Sequence, residues 1–188
     1  MKEVIRMRCE WANGSVLEQE YHDHEWGKET HNDQQLFEML VLESMQSGLS
    51  WSTILNKREN FRQAFDNFEI QKVAQYNEDK FVELMNNAGI VRHSLKIKAA
   101  IHNAQLILAI QEEYGSLDAY FWEFTQHKVK NNPWKTMGEV PATTELSDEI
   151  SRKMKKRGFK FIGSTTVYAF MQAVGMVNDH LITCEFKK

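Results

Sequence analysis

Apolar residues recur at the spacing of an α-helix along most of the chain. In residues 32–48, Leu36, Met39 and Leu40 fall at positions i, i+3 and i+4, which share one face of a helix. Residues 97–108 repeat this spacing. The alternation of apolar and polar residues that is typical of a half-buried strand is nearly absent. The pattern therefore predicts an all-α protein.

Capping residues indicate where some of these helices begin and end. Asn77 is a suitable N-cap, and Gly89 a suitable stop, for one short helix. Ser147 can cap a later helix, whose first turn carries acidic residues that suit the positive end of a helix dipole. Residues 131–144 hold both prolines and are predicted to form a loop between two helical lobes.

Composition narrows the class of protein. The 188 residues are 42% hydrophobic and 26% charged and include only two prolines, as expected for a folded chain without long linkers. No segment approaches the roughly 18 consecutive apolar residues of a membrane span, and the charged start lacks the apolar run of a secretory signal. We therefore expect no membrane association and a cytoplasmic location, where the two cysteines would stay reduced. A net charge of −3 argues against a protein that coats nucleic acid non-specifically, but it permits a local basic patch.

Each end of the chain offers one cysteine and one histidine. Cys9 and His22 lie near the start, and His180 and Cys184 lie near the end at positions i and i+4, so that they could converge on one helical turn. Four such ligands form a closed, structural zinc site. The spacing suggests a site that joins the two ends, although His24 competes with His22 as the ligand. Alternatively, the cysteines are small buried hydrophobic residues.

One carboxylate interrupts the apolar stripe of residues 32–48. Glu43 lies on the same helical face as Leu36, where its charge must be paired or hydrogen-bonded. Aromatic residues from nearby segments are candidates to surround it: Trp11, Tyr21, Trp26 and Trp51. A carboxylate among such rings would suit a flat, electron-poor or cationic ring. The alternative is that Glu43 pairs with an arginine or lysine and that the rings belong to the core.

Residues 147–175 have the layout of helix, short turn and helix. The first helix is predicted to end near Arg157 and the second to begin near Ser164, with "GFKFIG" between them. Gly158 and Gly163 permit positive φ and close approach of another backbone. Free amides at the second helix's start could hold a phosphate oxygen. Basic residues concentrate here: Arg152, Lys153, Lys155, Lys156, Arg157 and Lys160. They form either a DNA-phosphate site or an ordinary solvated helix face.

Together these segments resemble the 3-methyladenine DNA glycosylase I family. The matching pieces run in the family's order: "RCEW", "YHDHEWG", "LFEMLVLESMQSGLSWSTILNKRENF", "NAGIVRHSLKIKAAIHNA" and "KKRGFKFIGSTTVYAFMQAVGMVNDH" with the final Cys184. The resemblance implies a helix-hairpin-helix DNA glycosylase fold. It also implies one glycosylase domain over residues 1–188, built of two helical lobes with a cleft between them, the second lobe including the hairpin near residues 147–175.

The resemblance assigns expected roles to particular residues. One structural Zn²⁺ per chain would be held by Cys9, His22, His180 and Cys184. The catalytic residue would be Glu43, with Tyr21, Trp51 and Trp11 binding the base. Leu49 would fill the space that a flipped nucleotide leaves. The hairpin would contact DNA through Lys156, Arg157, Gly158, Lys160 and Gly163.

The implied activity is excision of N3-methyladenine from double-stranded alkylated DNA, which leaves an abasic site. No lyase lysine is evident, so a monofunctional, monomeric enzyme is expected. Asp179 is not assigned to the chemistry, because it adjoins the expected zinc ligand His180. Two other functions compete. A hydrolase with a catalytic zinc would need an open coordination position, and a DNA-binding module would carry out no chemistry.

Overall fold

The computed structural model describes residues 7–187. Residues 1–6, part of the start predicted to carry no secretory signal, and residue 188 lie outside this range. Within the described range the chain forms nine α-helices: α1 (Val16–His24), α2 (Asp33–Gln46), α3 (Trp51–Ala64), α4 (Ile70–Ala74), α5 (Glu78–Asn86), α6 (Ser94–Tyr114), α7 (Leu117–Glu123), α8 (Glu145–Lys156) and α9 (Ser164–Ala173). Two two-residue strands, β1 (Lys130–Asn131) and β2 (Val177–Asn178), pair in parallel. The predicted all-α fold is confirmed.

Helix α2 is the centre of the hydrophobic core. Asn32 caps it by accepting a hydrogen bond from the Gln35 amide, and residues 36–45 are all buried. Helices α3, α6, α7 and α9 pack around it. The sequence predicted one buried face, whereas these neighbours cover α2 on every side. The side chain of Glu43 consequently lies in the interior of the protein.

Helices α8 and α9 pack against each other as the predicted helix-hairpin-helix. The cap of α8 is Thr144, and Ser147 is the third helical residue. The Ser147 amide donates to Thr144 Oγ1 at 3.2 Å, while the Thr144 amide donates to Ser147 Oγ at 2.8 Å. The prediction of Ser147 as the cap was wrong because these reciprocal bonds begin the helix earlier. In the turn, Gly158 has a φ of +98°, but Gly163 is extended and Phe161 adopts the second positive φ, +55°.

The C-terminal segment is tied to distant parts of the chain. Strand β2 pairs with β1, at the start of the predicted 131–144 loop, and the Ile182 amide donates to Trp134 O within that loop at 2.9 Å. The Glu185 amide donates to Met7 O at 2.9 Å. The two ends of the described chain are thereby brought together. In residues 7–187, no helix combines the length and the apolar character that crossing a membrane requires.

Candidate functional site

A cavity of about 280 Å³ opens between helices α1, α2, α3 and α9. It is lined by Trp11, Glu18, Tyr21, Trp26, Glu43, Gln46, Trp51, Met137, Ala169 and Gln172. The structure therefore brings together the four residues predicted to form the pocket, Glu43, Tyr21, Trp51 and Trp11. Sequence reasoning missed Gln46 and Glu18 as part of it. Helical spacing could have found both, because Gln46 lies three residues after Glu43 on α2 and Glu18 three residues before Tyr21 on α1.

The Glu43 carboxyl group is buried without a protein partner. Its residue is only 6% exposed, and no hydrogen bond or ion pair reaches it from the part of the chain that the structure describes. Burial raises the pKa of Glu43 to about 8. Arg58 on the neighbouring helix is held by Glu38 and Glu25, with 2.8 Å contacts to each. The alternative in which a basic residue neutralises Glu43 is therefore wrong.

Aromatic rings form one wall of the cavity. The Tyr21 and Trp51 ring centroids lie 5.2 Å apart, and Trp11 lies 6.3 Å from Tyr21 and 5.1 Å from Trp26. The Tyr21 hydroxyl and the Trp51 Nε1 are buried with no hydrogen-bond partner among residues 7–187. An unsatisfied buried donor costs about 1–3 kcal/mol. The cavity thus combines flat apolar surfaces with the Glu43 carboxyl group, and the two unpaired donors belong to residues of its lining.

The turn between α2 and α3 is held from α6 by a buried lysine. Lys96 is 7% exposed, and its Nζ donates to Met45 O at 2.9 Å and to Ser47 O at 2.6 Å. These carbonyls lie at the C-terminal end of α2, where no further helical amide follows to donate to them. Leu49 follows in the turn with 39% of its surface exposed, and Trp51 begins α3. Lys96 thereby fixes the backbone that presents Leu49 to solvent and Trp51 to the cavity.

The hairpin turn is held by polar side chains of α6 and α2. Asn103 Nδ2 donates to Lys160 O, and the Lys160 amide donates to Asn103 Oδ1, both at 3.0 Å. His102 Nε2 lies 3.0 Å from Gly158 O, and Ser44 Oγ donates to Phe161 O at 3.2 Å. Because Lys96, His102 and Asn103 share α6, one helix sets the separation between the Leu49 turn and the hairpin.

The basic residues of the hairpin differ in their surroundings. Arg157 donates to both carboxylate oxygens of Glu113, at 2.7 and 2.8 Å, and lies over the rings of Tyr114 and Tyr120. Its guanidinium is therefore engaged within the protein. Lys156 and Lys160 are exposed. No acceptor among residues 7–187 holds their amines, so both are better suited to a phosphate than Arg157, which the sequence had placed in the same set.

The two ends of the chain form a buried cluster that could hold a metal ion. The ligand atoms of Cys9, His22, His180 and Cys184 all lie within 4.8 Å of one another. Cys184 Sγ is 3.6 Å from His22 Nε2 and 3.4 Å from His180 Nδ1, and Cys9 Sγ is 3.8 Å from His180 Nδ1. Tetrahedral zinc with ordinary bond lengths separates sulfur and nitrogen ligands by about 3.5 Å. The predicted convergence of these four residues is confirmed.

Neighbouring groups orient both imidazoles toward the centre of this cluster. His22 Nδ1 lies 2.8 Å from the acceptor Asp23 Oδ1, and His180 Nε2 lies 3.0 Å from Trp26 O. Each of these nitrogens must carry the proton, which leaves the lone pair of the other nitrogen facing the cysteines. Burial lowers the pKa of His22, and it lowers that of His180 to about 4. Both rings are therefore neutral near pH 7, as a metal ligand requires.

The structure differs from the predicted metal site in the backbone of residues 180–184, and it also decides between His22 and His24. Residues 180–184 form a turn closed by the Cys184 amide donating to Leu181 O at 2.9 Å, so the expected helical turn is wrong. The turn nevertheless brings Cys184 Sγ to 3.4 Å from His180 Nδ1. His24 is exposed on α1 and pairs with Glu20 at 3.6 Å, so it lies outside the cluster.

The carboxylate of Asp179 is saturated with hydrogen bonds. It is fully buried and accepts from Asn132 Nδ2, Trp134 Nε1, Tyr168 Oη and Gln172 Nε2 at 2.6–2.8 Å. These donors tie the C-terminal segment to α9 and to the 131–144 loop. The Asp179 carboxylate thus holds these segments together.

Comparison with known proteins gives a consistent family. The model of the methyladenine glycosylase family matches residues 11–188. DNA-3-methyladenine glycosylase 1 of Escherichia coli is 44% identical over 177 residues, covering 94% of this chain and 95% of that protein. The corresponding glycosylase of Haemophilus influenzae is 42% identical over 180 residues, covering 96% and 97%.

Solved structures agree with this assignment. One solved structure is that of 3-methyladenine DNA glycosylase I from Staphylococcus aureus, which concerns the recognition of 3-methyladenine by that enzyme. It matches with a TM-score of 0.93 at 35% identity, and the match covers 96% of each chain. A second crystal structure of a 3-methyladenine DNA glycosylase I matches with a TM-score of 0.92 at 41% identity, over 95% of this chain and 98% of that one. The chain has the helix-hairpin-helix glycosylase fold and belongs to the methyladenine glycosylase family.

Proposed function

We propose that this protein hydrolyses the N-glycosidic bond of 3-methyladenine in double-stranded alkylated DNA and leaves an abasic site. The observation that carries the proposal is the buried, unpaired carboxyl group of Glu43 in an aromatic cavity. A buried carboxyl group without a partner is costly in a purely structural core. Family membership supplies the reaction class, and the cavity supplies a place for a cationic purine.

Binding begins with extrusion of the damaged nucleotide from the duplex. Unstacking and unpairing a base costs about a few kcal/mol, and less for a damaged base. The exposed Leu49 side chain, on the turn that Lys96 holds, would occupy the vacated space in the stack. The backbone of residues 158–163 and the amines of Lys156 and Lys160 would hold the phosphates of the same DNA.

The methylated base is itself a good leaving group, which favours cleavage of the glycosidic bond. Methylation at N3 makes the purine cationic. When the C1′–N9 bond breaks, the bonding electrons move to N9, the base leaves neutral and the positive charge passes to the sugar. Water then adds to C1′ and loses a proton to solvent. The protein therefore needs to bind, orient and enclose the base more than to protonate it.

Glu43 would recognise the cation by changing its protonation state. The pKa of about 8 leaves the carboxyl group largely neutral in the empty cavity at pH 7. A cationic purine favours the carboxylate, which can accept hydrogen bonds from the adenine edge. The Tyr21 and Trp51 rings would attract the cation through their faces, and their unpaired donors would gain acceptors. A neutral adenine gains less from the carboxylate and from the faces of the two rings.

The metal cluster would have a structural role in the same enzyme. Its two thiols and two neutral imidazoles fit Zn²⁺, which would be held by Cys9, His22, His180 and Cys184. Four protein ligands close the coordination shell, so bound zinc would supply a cross-link between the chain's ends. This arrangement favours the glycosylase over a hydrolase with a catalytic zinc, which needs an open position.

We also propose that residues 1–188 form one domain of two helical lobes, the second of which includes the hairpin near 147–175, and that the protein is a monomer in the cytoplasm. A DNA-binding module without chemistry is a weaker alternative, because it has little use for an acid buried among aromatic rings.

The direct test is to incubate the protein with methylated duplex DNA and to identify the released bases by chromatography. We expect free 3-methyladenine and alkali-labile abasic sites in equal amounts. Tight binding to methylated DNA without base release would support the binding module instead. Loss of activity after metal removal, with the fold intact by circular dichroism, would support a catalytic metal.

A further inference from the structure

We propose that Glu18 is a second specificity residue of the cavity, whose carboxylate attracts the cationic base at the entrance. This inference rests on the proposed function, because it concerns the charge of the same substrate. Glu18 lines the cavity together with Glu43 but is half-buried on α1, in contact with solvent. It was not among the pocket residues expected from the sequence.

The Glu18 side chain is held in a defined position. Ser15 Oγ accepts a hydrogen bond from the Glu18 amide and donates to Glu18 Oε2, both at 3.1 Å. The carboxylate also lies close to Gly14. A freely rotating surface glutamate would lose more entropy on meeting a ligand.

Glu18 differs from the other acidic residues of α1 in its partners. Asp23 is bound by Arg8 at 2.7 Å, and Glu20 lies 3.6 Å from His24. No basic side chain among residues 7–187 pairs with Glu18. Its negative charge is therefore uncompensated, and it lines the cavity that is proposed to receive a positive charge.

The two carboxyl groups would act at different stages of binding. Glu43 is deeply buried and holds its proton in the empty cavity, so it contributes little attraction to an approaching cation at pH 7. Glu18 contacts solvent and supplies a charge at the entrance. Once the C1′–N9 bond breaks, the base is neutral and both attractions weaken, which favours release of the product over retention.

Glu18→Gln tests the role of this charge, because glutamine keeps the shape and the hydrogen bond from Ser15. Glu20→Gln is the matched control on the same helix, outside the cavity. Two small probes separate charge from shape: the permanent cation 3,9-dimethyladeninium and neutral 9-methyladenine, with binding followed by tryptophan fluorescence. The third measurement is the single-turnover rate of 3-methyladenine release at enzyme concentrations below saturation, where the rate reflects binding as well as bond cleavage.

We expect Glu18→Gln to reduce the rate and the affinity for the cation about three- to fivefold at low salt, with a smaller effect at high salt. Binding of 9-methyladenine, and every property of Glu20→Gln, should stay unchanged. An unchanged rate, together with unchanged cation affinity, would overturn the role of Glu18 while the proposed function stands. If the wild-type protein releases no 3-methyladenine, the proposed function fails, and the two small probes still measure whether Glu18 selects cations.

Discussion

Lys96 donates from Nζ to the carbonyl oxygen of Ser47 at 2.6 Å and so connects α6 to the turn that carries Leu49. A second bond from the same amine reaches Met45 O at 2.9 Å. Burial lowers the pKa of Lys96, and the two carbonyls compensate for its lost hydration. The buried ammonium thereby takes the place of the donors that the last turn of α2 lacks.

Lys96→Met should loosen this turn while keeping most of the apolar packing. We expect a loss of stability of about 1–3 kcal/mol, because two carbonyls lose a charged donor. The excision rate should fall further than the loss of folded protein explains, because Leu49 and Trp51 lose their fixed backbone. Urea unfolding and single-turnover kinetics measure the two effects. Lys98→Met, at an exposed site on α6, is the control, and equal rates in both variants would contradict this role of Lys96.

The raised pKa of Glu43 predicts a pH-dependent stability. In the unfolded chain the carboxyl group titrates near 4.3, but in the folded protein near 8. Between these values the folded state holds a proton that the unfolded state has lost, so stability falls as pH rises. Glu43→Gln removes this dependence. Relative to wild type, its free energy of unfolding should increase from pH 5 to pH 8 by an amount on the order of a few kcal/mol.

Urea unfolding at several pH values measures this difference. Glu59→Gln, on the exposed side of α3, should show no such trend. If the difference in free energy of unfolding between Glu43→Gln and wild type is the same at pH 5 and pH 8, the Glu43 carboxyl group is not both buried and unpaired.

His22 and His24 provide a matched pair for the metal site. His22→Asn removes a ligand from the buried cluster, whereas His24→Asn changes an exposed side chain two positions away. We expect about one zinc per chain in wild type and in His24→Asn, and much less in His22→Asn. The melting temperature of His22→Asn should fall strongly, because zinc binding contributes directly to folding. Elemental analysis and thermal unfolding provide the readouts, and equal zinc content in both variants would refute this ligand assignment.

The hairpin lysines should determine the salt dependence of DNA binding. Lys156→Gln and Lys160→Gln should each weaken binding to undamaged and methylated duplexes alike. Each should also reduce the slope of log binding constant against log salt concentration by about one unit. Arg157→Gln should instead lower stability with little change in slope, because its guanidinium is bound by Glu113. Fluorescence anisotropy at several salt concentrations measures the slopes. A large change in this slope for Arg157→Gln, with no change for the two lysine variants, would mean that Arg157 contacts the DNA and that Lys156 and Lys160 do not.

Helical periodicity and capping predicted much of the fold, because those signals are local in the chain. The buried stripe of α2, the Asn77 cap of α5 and the hairpin between α8 and α9 all followed from neighbouring residues. The start of α8 was misplaced because Thr144 and Ser147 bond reciprocally, and the sequence does not show which of them has helical dihedral angles.

The site could be predicted only where residue chemistry was distinctive. The scarce cysteines, and an acid on an apolar stripe, marked the metal cluster and Glu43 as candidates, and the family resemblance chose between the alternatives that the residues left open. The bonds of Lys96, Asp179 and Arg157 join segments far apart in sequence and depend on how the helices pack. The same is true of the unpaired state of Glu43, which requires that Arg58 be bound elsewhere. Pairings of this kind have no local sequence signal.

The role of the Glu43 carboxyl group in excision is tested by the rate of 3-methyladenine release by Glu43→Gln under single-turnover conditions. Methylated duplex DNA is mixed with excess wild-type or variant protein at pH 7, and the free base is quantified over time. We predict release by the wild type and a rate at least about 100-fold lower for a variant that remains folded. Equal rates of release by the two proteins would show that Glu43 does not act in excision.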